Sequence, residues 1–280
     1  MFQVEVMSAK DYGFAVDLTN TMNWNMTVAD FRFNQFLEPN GCLTLFSNSV
    51  PVGVATCISF GKVGWFGNLI IEQKYQRHGA GRLLLEHAIS YLQSKGVETI
   101  GIYAYPYLKE FYGKSGFKTD IDLTVMRNDQ VHTNIWSSIE LETQPDFSVL
   151  TSFDNQFFGA DRSRLLKSIM QEKNSICYAS MVSKKEVNGY ILSKTSENIA
   201  EVGPLVCRPD KPDVALELLK AMLLRLENRR VLLYLPQNQR GLEEFLLRAG
   251  FRKDFSLSRM FLGMPKIQNS IHLAESLERG

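Results

Sequence analysis

The sequence lacks an excess of either charge, because its 280 residues carry 31 basic and 30 acidic side chains for a net charge of +1. Proteins that bind nucleic acid rely on a basic surface, and no long run of Lys and Arg occurs here. The near neutrality therefore argues against a nucleic-acid-binding function. Hydrophobic residues make up 45% of the chain, which is enough to bury the core of an ordinary globular protein.

Metal-ligand patterns are also absent from the sequence. The four cysteines lie far apart and form no Cys-x-x-Cys pair, and the four histidines are equally scattered. A zinc site needs closely spaced Cys and His ligands, so we expect no metal. The cysteines are better interpreted as free thiols in a reducing compartment.

Long hydrophobic runs are missing as well. No apolar stretch approaches the roughly 20 residues that a membrane-spanning helix requires. The first residues, MFQVEVMSAKDYG, lack a basic region followed by an apolar core, so they do not resemble a secretory signal peptide. We therefore expect a cytoplasmic protein with no membrane partner.

What the sequence does contain is an internal repeat. Five segments recur in the same order at a nearly constant offset, with Gly67 matching Gly203 and Gly116 matching Gly250. The matched segments are 43–59 with 177–193, 64–72 with 200–208, 83–93 with 215–225, 98–105 with 230–237, and 111–117 with 245–251. The repeat predicts a tandem duplication of one α/β unit.

Each unit is predicted to contain three strands, a helix, a strand, a short helix and a last strand. Residues 8–38, ahead of the first hairpin, are predicted to be helical. The segment at 129–145 has no clear period, so we predict a linker there. It would join a first domain at 1–128 to a second domain at 146–280, whose last residues, 265–280, are predicted to form a polar tail.

Two glycines interrupt the transition from a predicted strand, WFGNLII, to a predicted helix in the stretch YQRHGAGRLLLEH. The N-terminus of a helix presents unsatisfied N–H groups and partial positive charge, which bind phosphate. Glycine lets a ligand approach the backbone closely because it has no Cβ. The third glycine of the dinucleotide fingerprint and the GK[ST] of a P-loop are both missing. A tight turn that binds no ligand is the alternative interpretation.

The pattern Gln-x-x-Gly-x-Gly, followed further along by FYGKSGF, resembles the acetyl-CoA signature of the GNAT superfamily of N-acetyltransferases. The resemblance covers residues 1–128 with good motifs and 146–264 with degraded ones, and Gln73 replaces the usual proline. The segment FFGADRSRLL further resembles two-domain members of this group. The resemblance implies an α/β (α+β) fold with tandem GNAT-like domains, each a mixed, mostly antiparallel sheet flanked by helices.

The resemblance also implies a site for acetyl-CoA, as a co-substrate, in the first domain. Backbone groups of one strand would pair with the pantetheine, and these belong to Leu69, Ile70 and Ile71. The loop residues around the pyrophosphate would be Gln76, Arg77, His78, Gly79, Ala80, Gly81 and Arg82. Tyr112 stands where the family often has a tyrosine that protonates the leaving thiolate. A packed aromatic residue beside Phe111 and Phe117 is the alternative for Tyr112.

The sequence does not identify a general base. A primary amine with a pKa of about 10.4 is mostly protonated at neutral pH, so a proton must be removed before it attacks. Family members often carry a carboxylate early on the signature strand, where this chain has Trp65. Asp30 and a chain of waters are alternatives. The candidate acceptor-site residues are Trp24, Asp30, Tyr103, Tyr105, Asp161 and Arg162.

We predict an acetyl-CoA-dependent N-acetyltransferase that moves an acetyl group to a primary amine of a small molecule by direct attack in a ternary complex. Two alternatives stay open: a protein N-terminal or lysine acetyltransferase, and a non-catalytic acyl-CoA-binding sensor. In the second half Ala215, Glu217 and Leu246 stand where the first half has Gly79, Gly81 and Tyr112. We therefore expect one coenzyme per chain.

Overall fold

The computed structural model of the chain describes residues 1–132, 137, 139–196, 199–265 and 270–280. The elements of the first half are β1 Phe2–Val6, α1 Tyr12–Asn20, α2 Val28–Leu37, β2 Cys42–Ser47, β3 Val50–Phe60, β4 Val63–Ile71, α3 Ala80–Ser94, β5 Thr99–Ala104, α4 Lys109–Gly113 and β6 Lys118–Asn128. Those of the second half are α5 Phe147–Phe158, α6 Ser163–Gln171, β7 Ile176–Ser183, β8 Glu186–Ser196, β9 Ile199–Cys207, α7 Pro212–Arg225, β10 Arg230–Pro236, α8 Arg240–Arg248, β11 Arg252–Leu262 and β12 Ile271–Leu273.

The order of these elements confirms the predicted repeat. The hairpin β2–β3 corresponds to β7–β8, strand β4 to β9, helix α3 to α7, strand β5 to β10, helix α4 to α8 and strand β6 to β11. The helix prediction for 8–38 holds for α1 and α2. Part of the predicted linker, residues 133–136 and 138, lies outside the described residues, and the proposed domain limits stay a prediction.

The described strands form one sheet, in which each half gives its last long strand to the other half. The strand order is β1-β2-β3-β4-β5-β11-β6-β10-β9-β8-β7, and β12 pairs with β9. Strand β11 of the second half pairs antiparallel with β5, and β6 of the first half pairs antiparallel with β10. Strands β6 and β11 pair with each other. The parallel pairs among these strands are β4–β5 and β9–β10, so the sheet is mixed and mostly antiparallel, as predicted.

Helices cover the sheet and bury an apolar face in each half. Helix α3 buries Leu84 and Leu92 in a cluster with the strands of the first half, and α7 buries Leu219 and Met222 in the second. A further cluster joins Trp65 of β4 to residues of α5, α6, β8 and β11, and therefore links the halves. No helix in the described part of the chain is long and apolar enough to cross a membrane.

The prediction of a polar tail at 265–280 is wrong for residues 270–280, which we call the C-terminal segment. Residues 266–269 lie outside the described residues. The C-terminal segment runs through the interior, where Glu275 and Arg279 are buried. Glu275 pairs with Lys194 at 2.6 Å, and Arg279 donates to Asn34 at 3.0 Å. Because these partners lie far away in the sequence, a local pattern of polar residues could not reveal the burial.

The exchange of strands predicts that neither half folds without the other. If the chain is divided after residue 140, the first piece holds β5 without β11 and the second holds β10 without β6. Both pieces then expose edges that water and aggregation must satisfy. We expect each purified piece to lack a cooperative thermal transition by near-ultraviolet circular dichroism, and the two pieces refolded together to recover it. A cooperative transition in the isolated first piece would contradict the pairing described above.

Candidate active site

Strands β4 and β5 lie side by side at their starts and then separate. Their pairing is confined to residues 63–65 with 99–101. The opposite edge of β4 stays paired with β3 as far as Ile71. Over residues 66–71 the edge of β4 that faces β5 therefore has no strand partner among the described residues. Such an edge can accept an extended ligand as an added strand, and it includes the candidate residues Leu69, Ile70 and Ile71.

The loop after β4 enters α3 through two positions with left-handed backbone. Arg77 has a φ of 63°, and Gly79, the residue that caps α3, has a φ of 82°. In the described part of the chain the N–H groups of residues 77–82 donate no backbone hydrogen bond. Free N–H groups gathered at the start of a helix form an anion site. The geometry therefore supports phosphate binding over a turn without a ligand.

Open space lies in front of the two loop glycines. A Cβ on Gly79 would meet no atom within 4 Å, and one on Gly81 would lie 3.7 Å from Ile71 and Phe111. Packing thus does not require glycine at these positions, whereas the approach of a pyrophosphate to the backbone does. The residues present therefore fit the phosphate end of acetyl-CoA.

The remaining loop side chains surround this space. Gln76 donates through Nε2 to the carbonyl oxygen of Ile71 at 2.9 Å, which ties the loop to the end of β4. Arg77, His78 and Arg82 are exposed, and Arg82 forms an ion pair with Glu86 at 2.7 Å. Ala80 is buried beneath the first turn of α3. The exposed cationic groups add positive charge at the rim of the loop.

Tyr112 lies on α4 and is 6% exposed. Its ring packs edge-on against Phe111 and Phe117, with ring centroids 5.0 and 5.9 Å away. Burial raises the pKa of the Tyr112 phenol above its ordinary value, so the hydroxyl stays protonated at neutral pH. A general acid must hold its proton until the leaving group needs it. The packed position and the role of proton donor are therefore compatible.

Three of the candidate acceptor residues lie near one another on the β5 side. Trp24 donates through Nε1 to the hydroxyl of Tyr105 at 3.0 Å, and Tyr105 stacks on Tyr107 at a centroid distance of 5.4 Å. Tyr103 packs against Trp65 with centroids 5.0 Å apart. By contrast, the carboxylate of Asp30 accepts hydrogen bonds from Thr27 in a capping box at the start of α2. The structure therefore groups the aromatic candidates but engages Asp30 elsewhere.

The two candidates from FFGADR occupy different surroundings. Arg162 is fully buried and donates two hydrogen bonds to Asp154, at 2.7 and 3.1 Å, and one to the carbonyl oxygen of Gly280 at 3.0 Å. Asp161 is exposed and accepts a hydrogen bond from the N–H of Ser163 at the start of α6. Arg162 therefore holds the C-terminal segment in place, whereas Asp161 caps a helix.

In the second half, the protein's own chain fills the opening that corresponds to the gap between β4 and β5. Strand β9 pairs with β10 only over residues 199–202. Beyond that point β12 lies along β9, with Leu273 opposite Leu205 and Ile271 opposite Val206. In the repeat, Leu205 and Val206 correspond to Leu69 and Ile70. The edge that is free in the first half is therefore already paired in the second, a feature for which the sequence gave no signal.

Comparisons with known proteins agree with this architecture. Residues 20–135 and 150–273 each match a family described as "Acetyltransferase (GNAT) domain". The uncharacterized N-acetyltransferase YitH of Bacillus subtilis (strain 168) is 25% identical over 212 residues, which are 74% of this chain and 73% of that protein. The two family matches together span most of the chain.

Solved structures share the whole fold. A proposed acetyltransferase from Pyrococcus horikoshii superposes with a TM-score of 0.82 at 20% identity, covering 100% of this chain and 96% of that one. A tandem GNAT protein from the clavulanic acid biosynthesis pathway superposes with a TM-score of 0.65 at 14% identity, covering 94% and 98%. The chain belongs to the GNAT acetyltransferases and carries two GNAT domains in tandem. Enzymes of this family transfer acetyl groups and generally use acetyl-CoA.

Replacing Gly79 with Val should abolish coenzyme binding, because the new side chain would stand where the phosphate must approach the backbone. Gly96 provides a matched control, since it lies at the other end of α3 with the same φ of 82° and the same open space. Both substitutions should lower the melting temperature by similar amounts. We expect acetyl-CoA to raise the melting temperature of wild type and Gly96→Val, but not that of Gly79→Val. A normal thermal shift in Gly79→Val would return the loop to a simple turn.

Titration calorimetry with CoA should give about one site per chain, because the second half has its opening filled by β12. The start of α7 also carries Asp210 and Asp213 close to Pro212, which lacks an N–H to offer a phosphate. Two equivalent sites would contradict this expectation.

Proposed function

We propose that the first half transfers an acetyl group from acetyl-CoA to a primary amine by direct attack. The observation that carries this proposal is the unpaired edge of β4, which continues directly into a loop of free N–H groups at the start of α3. An extended chain that ends in a pyrophosphate fits that succession of groups. Of the two openings in the sheet, this one alone combines a free strand edge, a phosphate loop and a nearby hydroxyl on Tyr112 in the described residues.

Each group has a separate part in the reaction. The edge of β4 binds the pantetheine, and the N–H groups of residues 77–82 bind the pyrophosphate. Tyr112 donates its proton to sulfur as the carbon–sulfur bond breaks and the carbon–nitrogen bond forms. The amine loses two protons overall, of which one restores Tyr112 through solvent and the other is released.

Direct attack is favoured because the cysteines are poor nucleophiles. The four thiols are free, and three of them are buried. Burial raises the pKa of Cys42 and of Cys177 to about 12. A thiol of that pKa is almost entirely protonated at neutral pH and does not attack a thioester readily.

The surroundings of the opening support a small cationic amine as acceptor. Tyr103 and Tyr105 lie in one apolar cluster with Leu277 of the C-terminal segment. The segment therefore closes the side of the opening that faces the second half, where a polypeptide would need an open groove. The aromatic faces of Trp24 and Tyr105 favour a positively charged ligand.

The proposal is tested by measuring free CoA released over a panel of small amines, amino acids, and peptides with a free N-terminus or lysine. We expect turnover with a small amine and little with the peptides. In the same assay Tyr112→Phe should lower kcat by roughly 10²-fold, the range for loss of a general acid, with coenzyme affinity unchanged.

Tyr178→Phe is the control for this substitution, because Tyr178 is a partly buried tyrosine on β7 in the other half. It should keep the wild-type rate. An unchanged rate in Tyr112→Phe would leave Tyr112 as a packing residue only, and turnover confined to the peptides would favour the protein acetyltransferase.

A further inference from the structure

The C-terminal segment crosses from the second half to the active-site opening of the first half. After β12, the N–H of Ala274 donates to the carbonyl oxygen of Tyr234 at 3.1 Å. The segment then passes Gly203, where an added Cβ would lie 2.0 Å from the carbonyl oxygen of Ala274. This close passage shows that the chain is threaded tightly through the filled opening of the second half.

Glu278 brings the segment to the place where β4 leaves β5. An added Cβ on Gly67 would lie 2.7 Å from the Cα of Glu278, and one on Gly280 would lie 2.9 Å from the ring of Trp65. Trp65 is the last residue of β4 that pairs with β5, and Gly67 lies just beyond it. The backbone of Glu278 is therefore in contact with β4 at the mouth of the opening.

Other residues anchor the segment. Glu275 pairs with Lys194 at 2.6 Å and with Arg279 at 3.0 Å, and the Arg279 side chain also contacts Glu278 at 2.5 Å. The side chains of Glu275 and Arg279 are 0% and 4% exposed, whereas that of Glu278 is 15% exposed. Glu278 is thus the ionised group of this segment that retains access from outside while Glu275 and Arg279 are closed in.

The strands that form the opening provide no carboxylate of their own. Strand β4 reads VGWFGNLII and β5 reads TIGIYA, so neither contains Asp or Glu. The acceptor amine must nevertheless lose a proton before it attacks. A carboxylate that reaches this position from elsewhere in the chain meets that requirement.

We propose that Glu278 is the general base, whose carboxylate accepts the proton of the acceptor's ammonium group. This inference rests on the proposed function. The N–H bond of the ammonium breaks, its proton moves to a carboxylate oxygen of Glu278, and the free nitrogen lone pair forms the bond to the acetyl carbon. Tyr112 protonates the leaving sulfur, the second nitrogen proton restores Tyr112 through solvent, and Glu278 releases its proton to solvent.

The electrostatic surroundings of Glu278 suit this role. The titratable groups that act on it come from several elements and are Lys194 on β8, Glu201 on β9, Tyr234 on β10, and Glu275 and Arg279 on the segment. Burial raises the pKa of Glu278 above its ordinary value, although Arg279 and Lys194 oppose the rise. For Glu275 burial acts the same way, but Arg279 and Lys194 outweigh it and hold the pKa at about 2. Of these two carboxylates, Glu278 is therefore the stronger base.

The decisive experiment is the pH dependence of kcat in Glu278→Gln, which keeps the shape of the side chain and removes its basicity. At pH 7 we expect kcat to fall by about 10²-fold to 10⁴-fold, with the affinity for CoA unchanged by calorimetry. The wild-type rate should level off above the pKa of Glu278. The variant rate should keep rising about tenfold per pH unit toward the acceptor's own pKa of about 10.4, so that the gap closes at high pH.

Glu72→Gln is the matched control, because Glu72 is a carboxylate beside the same strand end that pairs with Lys74 at 3.0 Å. It should retain the wild-type rate and pH profile. A Glu278→Gln variant with the wild-type profile, or with a lower rate at every pH and no change of profile, would overturn the role of Glu278. If that variant does not fold, Glu278→Asp decides the matter, since a base held farther away lowers kcat, and an unchanged kcat would refute it.

Failure of the proposed function gives a different result. A wild-type chain that binds acetyl-CoA but acetylates no amine in the panel overturns the transferase activity, and the base role with it. A wild-type chain that turns over while Glu278→Gln matches it overturns the base role alone.

Discussion

Strands β6 and β11 lie antiparallel in the middle of the sheet, and each of them covers the outer edge of a strand from the other half. Through this pairing β5 is hydrogen-bonded to β11 along residues 100–104. Strand β5 can therefore leave β4 without losing both of its neighbours. The opening that receives the coenzyme in the first half thus depends on a strand supplied by the second. The two halves are linked at the level of the backbone, and the catalytic half is incomplete without its degenerate partner.

The same opening has met two fates after the duplication. A separated pair of strands leaves backbone groups that must bond to a ligand, to water or to protein. In the first half the edge of β4 is left for a ligand, and a loop of free N–H groups follows it. In the second half β12 occupies the edge of β9, and Leu246 is buried where Tyr112 would stand. The change that closed one site also carried Glu278 to the other.

Local sequence signals were enough to predict the element order and the coenzyme loop. The spacing of Gly79 and Gly81 at a helix start, and the glycines that recur in both halves, each reflect short-range constraints. The strand exchange and the course of the C-terminal segment depend on partners far apart in the sequence, as in the pairing of Glu275 with Lys194. Arg162 shows the same limit, because no pattern distinguishes its buried pairing with Asp154 from the exposed position of its neighbour Asp161.

The strand exchange also has a consequence for synthesis on the ribosome. The first half emerges with β5 and β6 complete, yet the strand that belongs between β5 and β6 is residues 252–262, which are made last among the long strands. At ordinary translation speeds the nascent chain would wait on the order of ten seconds with those apolar edges open. Closure of the sheet is then a late, non-local event, which is slow compared with the pairing of neighbouring hairpins. A chain built this way has to remain unaggregated through that interval, so its dependence on chaperones should be set by topology more than by stability.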